Sequence, residues 1–164
     1  MLRHATVSLR PERDDDQPFL LELYLSTREE EPGFREMEPA SRTKLLTEQF
    51  KIQSTQYREK WPHAWFTIVQ VDDTRAGRLY VARQPDCLLV VELSLLPEYR
   101  GNGIGSGLIK NIQAESIRTS KPIRLSAVTD SGAYGFYLRL GFKPLSHDPS
   151  RTRMEWRAHA PGHT

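Results

Sequence analysis

Cysteine is nearly absent: Cys87 is the only one in 164 residues, so no disulfide can form within the chain. That scarcity fits a reducing compartment and leaves stability to a packed core. Long apolar runs are also missing. None approaches the ~20 residues that span a bilayer, and the opening MLRHATVSLRPERDDD holds no apolar stretch of signal-peptide type. The expectation is a cytoplasmic protein with no membrane partner. Net charge is small, formally +2 from 23 Lys and Arg against 21 Asp and Glu. An excess so slight and scattered excludes a nucleic-acid-binding surface. No repeat, low-complexity tract or linker interrupts the sequence, and its length is that of one domain. Residues 1–158 read as that domain and 159–164 as a frayed tail.

What charge there is divides unevenly. The first 60 residues carry 10 Lys and Arg against 12 Asp and Glu, the remainder 13 against 9. A basic C-terminal part suits one small polyanionic ligand; a solvated surface accounts for it equally well. Alternation over Ala5 to Pro11 predicts a first strand. Phe19, Leu20, Leu23 and Tyr24 recur at helical spacing behind aspartates able to cap a helix. A loop broken by Pro32-Gly33 and Pro39 follows. A second helix is predicted from Ser41 to about Lys60, with Leu45, Phe50, Ile52 and Tyr57 as its apolar residues. Ala64 to Val71 and Gly77 to Arg83 form a hairpin around DDTRAG, and Leu88 to Leu95 is the next strand. The pattern then gives a helix from Ile104 to about Ser120, a strand over Ile123 to Val128 and a short helix closing at Gly141. Two last strands begin at Phe142 and at Arg151. This order predicts an α/β (α+β) fold, a mixed, mostly antiparallel sheet of about seven strands flanked by about four helices.

Between the strand at Leu88 and the helix at Ile104 lies LLPEYRGNGIGSGL, with Gly101, Gly103, Gly105 and Gly107 at alternate positions. A strand that enters a glycine turn and leaves as a helix makes an anion site. The first N–H groups of a helix have no intrahelical partner, and the helix dipole adds positive charge there. Two common phosphate loops are excluded by spacing. The P-loop needs Lys-Ser/Thr after its last glycine, and Gly107 precedes Leu108. G-x-G-x-x-G ends on Ser106 when started at Gly101 and on Leu108 when started at Gly103. A tight turn whose glycines only permit close packing is the competing reading.

The motif PEYRGNGIG resembles the R/Q-x-x-G-x-G/A signature of the GNAT superfamily of N-acetyltransferases, through Arg100, Gly103 and Gly105. Downstream, DSGAYGFYLRLGF resembles that superfamily's N-x-x-A-x-x-L-Y-x-x-x-G-F, with Ala133, Tyr137, Gly141 and Phe142 in register. Asp130 takes the place of the usual asparagine and Phe136 that of a common leucine. Ionised aspartate only accepts hydrogen bonds, whereas asparagine also donates. The resemblance covers Leu88 to about Phe142 closely and the rest through element order. It implies a GNAT-like fold that binds acetyl-CoA as acyl donor, with no metal. The pyrophosphate would rest on the turn of Arg100, Gly101, Asn102, Gly103, Ile104, Gly105 and Ser106. The pantetheine arm would pair with Leu93, Ser94 and Leu95 like an added strand, near Asp130.

The reaction so implied is direct attack of a primary amine on the thioester, without an acyl-enzyme. Cys87 then has no obligatory role and reads as a small buried thiol. Tyr137 matches the family tyrosine that donates to the departing thiolate, a task for which a phenol is protonated at neutral pH; packing of a short helix is its other reading. Glu92 shares a strand face with Ser94 and is the candidate base for the amine, against a structural ion pair. The acceptor is left as an amine of unknown class. Glu29, Glu30, Glu31, Glu36 and Glu38 would attract a cation or simply solvate a loop; Phe34, Phe50, Tyr57 and Trp61 would wall a pocket or fill the core. A CoA-binding regulatory module without turnover is the second functional reading, and an unrelated phosphate-binding protein the third. Whether the chain is a monomer or a homodimer is left open.

Overall fold

The structure is a computed structural model that describes residues 5–29 and 31–158. The expected tail at 159–164 lies outside the described residues. In chain order the elements are β1 (Val7–Pro11), α1 (Gln17–Arg28), α2 (Pro39–Lys60), β2 (Trp65–Val71), β3 (Thr74–Arg83) and β4 (Leu88–Leu95). They continue as α3 (Ile104–Thr119), β5 (Ile123–Val128), α4 (Gly132–Arg139), β6 (Lys143–Pro144) and β7 (Arg151–Trp156). The seven strands run in the order β1-β2-β3-β4-β5-β7-β6, so the predicted mixed sheet with four helices is the observed architecture. No helix among the described residues is long and apolar enough to cross a membrane.

The chain divides into two compact units. The first comprises Met1–Tyr80 and Glu92–Ile104. Its β1 pairs antiparallel with β2, from Val7 opposite Val71 to Pro11 opposite Thr67. The β2–β3 hairpin is tighter than the predicted DDTRAG turn. Asp72 and Asp73 both adopt left-handed φ, 49° and 67°, which is the two-residue turn that aspartate tolerates, so β3 already begins at Thr74 rather than Gly77. Helix α1 buries Phe19, Leu20, Leu23 and Tyr24 against Leu46 and Phe50 of α2, with Ile68 and Leu96 beneath. Of the expected apolar residues Phe50 is buried and Tyr57 half-buried, whereas Leu45 and Ile52 are 37% and 57% exposed and Leu46 is fully buried instead. Helix α2 starts earlier than the predicted Ser41, and its buried side follows Leu46 and Phe50 and then the half-buried Gln53 and Tyr57. Pro39 occupies its first turn, where a missing N–H costs nothing, and the Glu38 side chain caps it by accepting from the Ala40 and Ser41 backbone.

Asp16 closes the short turn before α1. Its carboxylate is fully buried and takes Arg10 on both oxygens, at 2.7 and 2.8 Å. It also accepts from Arg75 Nε at 2.8 Å and from the Arg13 backbone N–H at 2.7 Å. The hydrogen bond from Arg10, chiefly, holds its pKa well below the usual carboxylate range against the cost of burial.

The second unit comprises Val81–Val91 and Gly105–Thr164. Its parallel β4–β5 ladder consists of Leu88 opposite Ile123 and Leu89 opposite Arg124. β5 pairs antiparallel with β7 along its whole length, Ile123 opposite Trp156 to Val128 opposite Arg151. The strand expected from Phe142 is reduced to Lys143–Pro144 on the β7 edge. Leu108, Ile109 and Ile112 form the buried stripe of α3, and Ile123, Leu125 and Met154 that of the sheet. Cys87 is 2% exposed, and burial, foremost, raises its thiol pKa, consistent with an inert packing residue.

Candidate active site

The candidate residues fall in both units. Glu92, Leu93, Ser94, Leu95 and Arg100 to Ile104 belong to the first; Gly105, Ser106, Asp130 and Tyr137 belong to the second.

In the first unit, β4 ends at Leu95 and a short 3-10 turn at Pro97–Tyr99 brings the chain to the glycines. Gly101 and Gly103 have φ of +75° and +80°, and beyond their chain neighbours no atom among the described residues lies within 4 Å of where their Cβ atoms would sit. Close packing therefore does not explain them. Their left-handed backbone does, and the space before them is open. Left-handed glycines allow successive N–H groups to face one concave side, a backbone geometry that receives anions. Two exposed side chains brace the turn. Arg100 Nε donates to the Leu95 carbonyl at 3.0 Å, and Asn102 Nδ2 to the Arg100 carbonyl at 3.0 Å.

On β4, Glu92 is not a solvated carboxylate. Tyr57, from the last turns of α2, donates its hydroxyl to Glu92 Oε1 at 3.0 Å, and Arg78 Nη2 of β3 lies 3.6 Å from the same oxygen. Arg78 is 3% exposed. It donates through Nη2 to Gln53 Oε1 at 3.0 Å and through Nε to Ser94 Oγ at 3.4 Å. Its guanidinium also stands 5.1 Å from the Tyr80 ring centre. Burial works against this cation, but Glu92 and neighbouring tyrosine oxygens outweigh it and raise its pKa. Tyr57 and Tyr80 also wall a cavity of about 150 Å³ with Glu12, Arg58, Ser54 and Phe66. Glu12 there accepts from both the Tyr80 hydroxyl and Arg58. Burial, foremost, raises the Tyr80 pKa, so its phenol stays protonated.

In the second unit Asp130 is exposed and left-handed, φ 60°, a conformation open to aspartate and asparagine alike. Ser131 caps α4 by accepting from the Tyr134 backbone N–H at 3.2 Å. Tyr137 is 7% exposed, its ring 5.0 Å from Phe136 and 5.3 Å from Phe142. Gly105, in the first turn of α3, faces the Phe136 ring at 3.4 Å from its would-be Cβ. The Phe136 that departs from the family's leucine thus packs on a motif glycine.

Sequence reading missed Arg78, Gln53 and the use of Tyr57. The available signal was Arg78 set before the run LYVA and well inside the strand that Arg83 closes, on the same alternating face as Tyr80. The aromatic residues proposed as one wall separate. Phe50 and Phe34 join the α1–α2 core, while Tyr57 and Trp61 pack together at 5.9 Å. Of the acidic loop, Glu38 is consumed as a helix cap; Glu30 lies outside the described residues. Among the described residues no group of three or more His, Cys, Asp or Glu is arranged to hold a metal ion.

The profile of the acetyltransferase (GNAT) domain family matches residues 62–144, half of the chain. No curated protein matches the sequence. Among solved structures, the chain is similar to the PaiA N-acetyltransferase of Thermoplasma acidophilum in complex with coenzyme A. The two share 19% identity over 93% of this chain and 99% of that one, with a TM-score of 0.70. An acetyltransferase of Thermus thermophilus gives 16% identity over 93% and 97%, TM-score 0.67. A Corynebacterium glutamicum protein described as histone acetyltransferase HPA2 and related acetyltransferase gives 18% over 96% and 99%, TM-score 0.66.

Proposed function

This chain belongs to the GNAT acetyltransferase family, and from that membership we propose that it transfers an acetyl group from acetyl-CoA to a primary amine by direct attack. One observation carries the reading. The left-handed Gly101 and Gly103, with open space before them, stand between β4 and α3 where the family signature falls. Backbone N–H groups of the turn and of the first residues of α3 hold the pyrophosphate, with the helix dipole behind them. The backbone edge of Leu93, Ser94 and Leu95 pairs with the pantetheine amides. The Thermoplasma relative's complex with coenzyme A supports the same donor.

In the step itself the amine nitrogen forms a bond to the thioester carbon and the carbon–sulfur bond breaks. Glu92 takes the proton that the amine loses. Tyr137 gives its phenolic proton to the departing sulfur, which avoids releasing a free thiolate. A backbone N–H near Leu93 to Leu95 receives the oxyanion. Each of these roles rests on chemistry and on motif register.

The test is release of free CoA thiol from acetyl-CoA across a panel of primary amines (n-butylamine, glycinamide, 2-phenylethylamine, cadaverine), beside calorimetry of CoA binding. Amine-dependent thiol release is expected. Tight CoA binding with no turnover on any amine would instead assign the chain to a CoA-binding module.

A further inference from the structure

Two buried or half-buried carboxylates in the first unit meet arginines in different ways. Asp16 is fully buried, and Arg10 takes both of its oxygens in a bidentate fork at 2.7 and 2.8 Å. That is how a carboxylate is satisfied when its work is structural. Glu92 is 22% exposed, and both its partners converge on one oxygen: Tyr57 at 3.0 Å and Arg78 Nη2 at 3.6 Å, each to Oε1. Among the described residues no side chain donates to Oε2.

We propose that Tyr57 and Arg78 are positioning residues, which fix Glu92 through Oε1 and present Oε2 to the acceptor amine. The proposal rests on Glu92 as the amine's base. Holding one oxygen removes the rotation about the last side-chain bond that would otherwise spread the acceptor lone pairs over many directions. A base must lie within hydrogen-bond reach of its proton, and small displacements are costly in rate.

Arg78 is built for this duty. Its charge is buried in the middle of a central strand, a costly placement without partners. It donates to Gln53 and Ser94 and meets Glu92 as an ion pair, instead of forking onto one carboxylate. The guanidinium therefore links helix α2 to two half-buried residues on one face of β4, Glu92 and Ser94. Tyr57 is held in turn by its ring contacts, 5.9 Å to Trp61 and 6.1 Å edge-on to Tyr80. Its hydroxyl can therefore be removed without moving the ring.

The experiment is a double-mutant cycle of Tyr57→Phe and Glu92→Gln, with acetyl-CoA and the fastest amine of the panel above. Tyr57→Phe is expected to lower kcat about tenfold while the KM for acetyl-CoA and the unfolding temperature stay near wild type. In the Glu92→Gln background the same change should have no further effect, because a positioned group that no longer takes a proton gains nothing from being positioned. Arg78→Lys keeps the charge but loses the planar fork that bonds Gln53 and Ser94 at once, and should lower kcat in the same non-additive manner. Wild-type kcat in Tyr57→Phe, or fully additive losses, would overturn the positioning role while leaving the base intact. Wild-type kcat in Glu92→Gln, or no turnover on any amine, would overturn the base and the positioning together.

Discussion

A Cβ atom placed on Gly77 would lie 2.1 Å from the carbonyl oxygen of Ser94 and 2.7 Å from a methyl of Leu95. Strands β3 and β4 therefore meet at a distance that only glycine allows, at the residues proposed to pair with pantetheine. Just beyond, the Leu96 N–H donates to the Ala76 carbonyl at 2.8 Å, which ties the two backbones together on that side.

Gly77→Ala must push the Ser94 carbonyl aside, since backbone cannot yield as a side-chain tip does. The expected cost is at least ~1–3 kcal/mol of stability, together with weaker CoA binding because the Leu93 to Leu95 edge is displaced. Urea unfolding and CoA calorimetry on the variant check both. Unchanged values for the two would mean that β4 is not held where this contact puts it.

Asp16→Asn leaves Arg10 and Arg75 facing a neutral amide. The folded-state pKa of Asp16 is depressed, first by its hydrogen bond from Arg10. Its ionised form therefore stabilises the fold at all pH above the unfolded value of ~3.9, and that stabilisation is lost as pH falls below it toward the folded value. The variant should be less stable by ~3–5 kcal/mol near pH 7, and the gap from wild type should narrow below about pH 4. Denaturant curves at pH 7, 5 and 3 measure it; a gap independent of pH would contradict the ion-pair account.

Tyr137→Phe keeps the ring contacts to Phe136 and Phe142 and removes only the hydroxyl. Loss of the acid should cost ~10²–10⁴ in kcat with CoA affinity and stability nearly intact. Steady-state kinetics with the fastest amine of the panel decides the matter, and wild-type turnover would assign the tyrosine to packing alone.

The sheet and its helices were legible because each strand alternates or is bounded by turn residues, and each helix carries an apolar stripe. Errors arose where a cap or a tight turn is decided by one side chain. Glu38, capping the first turn through the Ala40 and Ser41 N–H groups, moved the start of α2, and the left-handed Asp72-Asp73 pair shortened a hairpin loop. The glycine turn could be read as an anion site because its spacing is a local property of the chain. The surroundings of Glu92 could not. Tyr57, Gln53 and Arg78 come from a helix and a neighbouring strand, and only the folded chain sets them against one carboxylate. The long-range pairing of Gly77 with Ser94 was hidden for the same reason.

The central claim is that the open, left-handed turn at Gly101 and Gly103 receives the phosphates of acyl-CoA. Calorimetry of CoA with Gly103→Asn and Gly103→Asp tests it most directly. Asparagine and aspartate both tolerate the φ of +80° found there, and beyond its chain neighbours no atom among the described residues lies within 4 Å of the Cβ from which either side chain starts. They are nearly equal in size and differ in charge, so backbone strain and bulk cancel in the comparison. Wild type is expected to bind CoA, Gly103→Asn to bind it more weakly, and Gly103→Asp to lose at least a further tenfold through repulsion of the pyrophosphate. That further loss should shrink as salt is raised. Equal affinity of the two folded variants would remove the phosphates from this turn.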